Sequence, residues 1–229
     1  MHLVSLIHGI RTGLTSRSWP QSLGPYLMQV DGVHTEAVYY EAGPLPLWNT
    51  IIKNPRIARA LANRIEAQRE WHPELVHSIV AHSNGTDIAI RLMRELVSRG
   101  IRTRTAILTG AAIHSDVDKN GLAELIRNGH LGRAIAYSSP ADTVVRHLQR
   151  IPGFYGSLGA RGFEREKQRT GLWVEGWQPL ESREVFPGGR FRLVTRWFPG
   201  FSHGQYFDPA ERRIAWRTIA SDLDVFLRD

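Results

Sequence analysis

The sequence predicts an α/β domain built on a mostly parallel sheet covered by helices. Apolar runs of strand length alternate with helical patterns along the whole chain, as repeated strand–helix–strand crossovers require. At 229 residues there is enough chain for one such domain with a substantial buried core. An apolar share of 42% beside a charged share of 22% sets the chain apart from disordered and fibrous sequences.

The elements follow in order. Residues 3–8 form a short buried-strand candidate. Residues 18–30 then place Trp19, Leu23, Tyr26 and Leu27 at helical spacing. Residues 36–40 (Glu-Ala-Val-Tyr-Tyr) read as the next strand. Asn54-Pro55 suits a helix start, with Asn54 as N-cap and proline at the first helical position, and Ile57, Ala58, Leu61 and Ile65 line one face. Residues 76–81 are a third strand, running through a tight Ser83-Asn84-Gly85 turn into a helix that carries Ile88, Leu92 and Leu96 on one face and stops at Gly100. Residues 105–108, 134–137 and 191–197 supply three more strands. The last helix opens on the capping-box pattern Asp208-Pro209-Ala210-Glu211 and faces the core with Ile214, Thr218, Ile219, Leu223 and Phe226 or Leu227. Residues 151–189, rich in Gly, Arg and aromatics including Trp173, Trp177 and Phe186, show no clean period. Such a stretch reads either as a lid or binding loop, or as an excursion fastened by its tryptophans.

Several classes of function drop out. The chain has no cysteine, which removes disulfides, thiolate metal sites and a cysteine nucleophile. The N-terminus has no positive region followed by a long apolar stretch, and no apolar run reaches the roughly 18 residues of a spanning helix. A cytoplasmic protein is expected. The net charge is +7, but the arginines are scattered among glutamates on polar helix faces and no known nucleic-acid module is present, so nucleic acid is not an expected partner. No H-E-x-x-H pattern and no phosphate-binding loop occurs, and no metal or organic cofactor is expected.

Serine is a poor nucleophile at neutral pH unless a base lies within hydrogen-bond reach and its own backbone leaves the approach open. A sharp strand-to-helix turn provides the second condition. Ser-x-Gly occurs at Ser22, Ser83, Ser98, Ser157 and Ser202, but only Ser83 follows an apolar strand and opens an amphipathic helix.

The stretch Val80-Ala81-His82-Ser83-Asn84-Gly85 resembles the nucleophile elbow of the α/β-hydrolase family, with Ala81 where that family usually has glycine. His8-Gly9 after the first strand resembles the family's early His-Gly pair. The resemblance implies a three-layer α/β-hydrolase fold as a single domain over residues 1–229, with helices on both faces of a minimal sheet of about six strands. The first strand of this chain matches the family's third. It further implies an oxyanion hole made by the backbone N–H groups of Ile10 and Asn84, with His8 structural. In the family's order of serine, acid, histidine, Asp142 of Ser138-Ser139-Pro140-Ala141-Asp142 falls where the acid stands, and His203 of Phe201-Ser202-His203-Gly204 where the base stands. Asp116 is a rival acid, and Asp142 also suits a cap for Thr143-Val144-Val145-Arg146.

The expected function is that of a serine esterase. Ser83 attacks a carboxylic ester or thioester of a small molecule or lipid, His203 carries the proton and Asp142 orients His203. A catalytically silent scaffold used for binding is the alternative from another class. A third is a lipid esterase docked on an anionic membrane surface by its basic face and the tryptophan-rich segment.

Overall fold

The computed structural model describes residues 1–9, 19–40, 49–148, 156–163, 174–175, 192–207 and 212–224. Its centre is one sheet in which every strand pair is parallel. The strands are β1 (His2–Ile7), β2 (Val33–Val38), β3 (Val76–His82), β4 (Thr103–Thr109), β5 (Leu131–Ser138), β6 (Val174–Glu175) and β7 (Arg192–Trp197), in the spatial order β2-β1-β3-β4-β5-β7-β6. Six of these match the expected strands, and β6 adds a two-residue edge pairing, Val174 with Leu193 and Glu175 with Val194.

Side chains alternate across the sheet, and the alternation makes two cores. On one face Leu3, Ile7, Ile79, Ala81, Ala106, Leu108, Ala134 and Ala136 meet helices α2 (Asn54–Trp71), α3 (Gly85–Val97) and α4 (Leu122–Arg127). On the other, Val4, Leu6, Val80, Ile107, Ile135 and Tyr137 meet α1 (Trp19–Leu27) and α7 (Arg212–Asp222). Burial on both faces is why these strands read as continuous apolar runs. Two short helices, α5 (Thr143–Leu148) and α6 (Leu158–Arg161), follow β5.

Two local expectations are corrected. β2 begins at Val33 rather than residue 36 and ends before Tyr39. Gly32, at φ 79°, turns the chain so that Val33 pairs with His2. As the edge of the sheet β2 is only partly buried, so His34, Thr35 and Glu36 gave no apolar signal. Asn54 does not cap α2. A π-helical turn (Asn49–Lys53) runs straight into that helix, Lys53 already has helical angles, and the Asn54 side chain is fully buried and turned toward α3. Only the proline near the helix start follows the expectation.

Residues 151–189 are described only in part. Within that stretch, residues 156–163 are built into the scaffold: Gly156, Leu158 and Gly159 donate N–H bonds to Ala112, Ile113 and Ala111, and Leu158, Ala160 and Phe163 are buried. Apart from β6 the remainder lies outside the described residues, as do the expected capping box at 208–211 and the Phe226 and Leu227 positions. α3 stops as expected, with Gly100 left-handed at φ 64° and the Ile101 N–H donating to Leu96. In α7, Ala215, Trp216, Ile219 and Ala220 are buried, and Leu223 just beyond it is buried too. Among the described residues no helix is long and apolar enough to cross a membrane.

Candidate active site

Ser83 stands between β3 and α3 with φ 54°, a left-handed angle that non-glycine residues rarely adopt. Hydrogen bonds hold it there. Its N–H donates to Thr109 of β4 (3.1 Å), and its carbonyl accepts from the Thr86 N–H (3.1 Å) and the Thr86 hydroxyl (2.6 Å). The turn is possible because its neighbours are small. A Cβ on Gly85 would lie 2.5 Å from the His8 carbonyl oxygen and 2.6 Å from that of Ile7, and a Cβ on Gly9 would lie 2.6 Å from Ser83 Cβ. The loop after β1 thus passes directly over the serine. Ala81, the departure from the family pattern, is fully buried in the core beside β1 and β4, where a methyl group is accommodated.

Asp142 and His203 come together at the same end of the sheet. The Nδ1–H of His203 donates to Asp142 Oδ2 across 2.9 Å; the carboxylate is fully buried and the histidine side chain 18% exposed. The other oxygen, Oδ1, accepts the Val145 N–H at 3.0 Å. Asp142 is therefore both a helix cap and the partner of a histidine, two roles that the sequence offered as alternatives. Asp116 is occupied elsewhere. Its Oδ1 accepts the N–H groups of Asp118 and Lys119, and Lys119 Nζ lies 3.3 Å from Oδ2.

Gly110, left-handed at φ 48° just after β4, marks the convergence of these groups. A Cβ there would lie 3.1 Å from His203 Nδ1, 3.1 Å from His82 Cε1 and 3.2 Å from Asp142 Oδ2. His82, the residue before Ser83, packs its ring against that of His203 (centroids 4.7 Å apart) and edge-on to Phe207 (5.4 Å). Its Nδ1–H donates to the Thr109 carbonyl at 3.1 Å. Burial, reinforced by the nearby His203, pushes the pKa of His82 down to about 3 although the Thr109 bond opposes this, so the ring is neutral at pH 7.

A polar network lies on the other side of Ser83. The His8 ring stacks on Tyr40 (4.6 Å, 7°), donates from Nδ1 to the Gly9 carbonyl (2.5 Å) and accepts the Tyr40 N–H at Nε2 (3.1 Å). Burial holds its pKa below the ordinary value despite the Gly9 bond. Asn84, the last residue before α3, is buried with its N–H at the open N-terminal end of the helix, where backbone amides lack intrahelical acceptors. Ile10, expected as the other backbone donor, lies outside the described residues.

Of the expected site residues, Ser83, Asn84, Asp142 and His203 are brought to one end of the sheet, and His8 is bound into the scaffold. The sequence reading missed His82, Thr109, Gly110, Tyr40 and Asn54. A glycine directly after the apolar β4 was the visible signal for Gly110; the others are joined to the site only by contacts distant in sequence.

No protein-family model matches the chain, and no curated protein matches it. Solved structures do match in fold. An uncharacterized protein from Bacillus cereus superposes with a TM-score of 0.55 at 11% identity over 97% of this chain, which spans only 59% of that protein. A hyperthermophilic esterase from the archaeon Pyrobaculum calidifontis gives 0.55 at 14% identity, over 97% of this chain and 74% of the esterase. RedJ, described as a thioesterase of the prodiginine biosynthetic pathway in Streptomyces coelicolor, gives 0.50 at 18% identity in its form with a PEG molecule in the active site, over 97% of this chain and 89% of RedJ. Taken with the parallel strand order and the left-handed serine between β3 and α3, these likenesses show that the chain has the α/β-hydrolase fold.

Proposed function

We propose that the protein is a serine hydrolase that cleaves a carboxylic ester or thioester of a small molecule or lipid through an acyl-enzyme. Ser83 is the nucleophile, His203 the general base and acid, Asp142 the residue that orients His203, and the backbone N–H groups of Ile10 and Asn84 the oxyanion hole. The observation that carries this reading is the 2.9 Å bond from His203 to the buried Asp142, made over Gly110 and beside the residue that precedes Ser83. With Nδ1–H committed to Asp142, His203 presents Nε2 as a base.

Ser83 Oγ attacks the carbonyl carbon as its proton passes to His203 Nε2. The developing negative charge on the carbonyl oxygen is met by the two backbone N–H groups. The imidazolium, stabilised by Asp142, then gives its proton to the departing alcohol or thiol, and the acyl group stays on Ser83. Water attacks the acyl-enzyme, His203 takes its proton, and collapse of the second tetrahedral intermediate releases the acid and restores Ser83. The likeness in fold to a solved esterase supports this class of substrate.

The test is labelling of wild type and Ser83→Ala with a fluorophosphonate, read by intact mass. One adduct on wild type and none on the variant is expected. No adduct on folded wild type would replace the hydrolase reading with a silent binding scaffold.

A further inference from the structure

Among the described residues one hydrogen bond holds the His203 ring, the 2.9 Å bond to Asp142. A ring pinned at a single atom still swings about that atom, and the loop beside it is open: a Cβ on Gly204 would meet nothing within 4 Å. The ring of His82 lies against it, with centroids 4.7 Å apart and planes inclined at 39°. We propose that His82 is a positioning residue for proton transfer: its ring is the wall that keeps the His203 imidazole seated on Asp142 and in register with Ser83. This rests on the hydrolase reading above.

The wall is itself held. Nδ1 of His82 faces two oxygens of Thr109, the carbonyl at 3.1 Å and the hydroxyl at 3.2 Å. The hydroxyl donates its proton to the Ala81 carbonyl at 3.2 Å, so both oxygens are left to accept, and Nδ1 carries the proton of the ring. The same Thr109 carbonyl accepts the Ser83 N–H at 3.1 Å. One peptide oxygen therefore ties the backbone of the nucleophile to the ring that backs its base. Phe207 meets His82 edge-on at 5.4 Å and stacks on Trp19 of α1 at 3.9 Å, which carries the bracing into the helix layer. Gly110 leaves the corner free for the pair, since a Cβ there would fall 3.1 Å from both His203 Nδ1 and His82 Cε1.

A wall beside a general base must not repel the proton that the base takes up. His82 meets this condition. Burial, reinforced by His203, holds its pKa at about 3, so it stays uncharged while His203 becomes an imidazolium. The contact matters when the proton moves, because a base displaced by even 1 Å costs on the order of 10²-fold in rate. Substrate binding precedes that step, so loss of the wall falls on kcat rather than on KM.

The experiment compares wild type, His82→Asn and His82→Phe on a p-nitrophenyl ester and follows the low-field proton resonance of the His203–Asp142 bond, assigned by its loss in Asp142→Asn. The Asn carboxamide repeats the donation to Thr109 and removes the ring; Phe restores a ring and lacks the donor. His82→Asn is expected to lower kcat roughly 10- to 100-fold with KM within about twofold, and to broaden the resonance beyond detection. His82→Phe is expected to bring kcat back to within about fivefold of wild type and to keep the resonance. Urea midpoints establish folding, and His82→Ala takes the place of His82→Asn if that variant does not fold, since the same loss of the ring is read. A ring-deleted variant with kcat within about twofold of wild type, a kcat loss with the resonance still sharp, or a folded Phe variant as impaired as the Asn variant overturns the proposal. Fluorophosphonate labelling of wild type separates the two levels: without it the hydrolase reading fails, and with it only the role of His82 is at stake.

Discussion

Asp142 divides its two carboxylate oxygens between the Val145 N–H and the Nδ1–H of His203, at 3.0 and 2.9 Å. Exchanging one oxygen for an amide separates these duties. In Asp142→Asn, one orientation of the carboxamide keeps the cap and turns an NH₂ group toward His203. The imidazole is then driven to the tautomer in which Nε2 carries the proton and cannot accept one from Ser83. A loss of kcat of about 10⁴-fold is expected, with little change in the thermal midpoint. Asp116→Asn serves as the comparison. It disturbs a turn whose hydrogen bonds go to Asp118 and Lys119 rather than to this pair, and is expected to leave kcat within a few-fold while costing about 1 kcal/mol of stability. Equal losses of kcat in the two variants would contradict the assignment.

The left-handed Ser83 carries a backbone strain of about 1–2 kcal/mol for a residue with a Cβ. Ser83→Ala retains the strain and Ser83→Gly relieves it, against a larger loss of chain entropy on folding. Both are expected to be inactive, with Ser83→Gly more stable than Ser83→Ala by about 1 kcal/mol in urea unfolding. A glycine variant no more stable than the alanine variant would mean that the elbow holds no strain.

Two glycines near the site are expected to respond oppositely to a methyl group. In Gly85→Ala the new Cβ falls against the backbone oxygens of His8 and Ile7, which cannot move without breaking the β1–α3 approach. A loss of about 3 kcal/mol or more is expected, seen as a low urea midpoint or insoluble protein. Gly204, next to His203, has nothing within 4 Å of the position its Cβ would take. Gly204→Ala is expected to change stability by no more than about 0.5 kcal/mol.

Acid is expected to destabilise the protein well before carboxylates titrate. His77 is buried between Ser5 Oγ (3.1 Å) and Thr103 Oγ1 (3.3 Å), and burial, with nearby His2, lowers its pKa to about 3, as for His82. The unfolded chain takes up these protons near pH 6.5 and the folded chain only near pH 3, so between those values the unfolded state holds more protons. Stability is full above pH 6.5 and falls as the pH drops below it, by up to about 1.4 kcal/mol per pH unit for each histidine. Urea midpoints measured at pH 7, 6 and 5 check the slope. His77→Gln is expected to reduce it by one proton's worth; an unchanged slope would rule His77 out as its source.

What the sequence made legible follows burial. β1, β3, β4 and β5 lie inside the sheet, packed on both faces, and announce themselves as unbroken apolar runs. β2, an edge strand with His34, Thr35 and Glu36 in its middle, was read three residues late. Ser83, Asp142 and His203 were legible because each follows a recognisable strand, and a strand's end defines one side of the sheet. Tyr40 and Asn54 were not. Their partners, His8 and Asn84, are 30 or more residues away, and Asn54 before Pro55 has the local look of a helix cap. Local chemistry indicated a surface residue, and packing made it an internal one.

The strand order has a consequence in time. β5 finds its neighbour β7 only after the intervening chain has been made, and His203 follows β7. Parallel pairings of this kind form slowly because a long connection must close before any contact rewards it. During synthesis Ser83 leaves the ribosome 120 residues ahead of His203. On the proposed hydrolase reading the chain is therefore born inert, and the serine acquires its base only when β7 docks and brings His203 to Asp142.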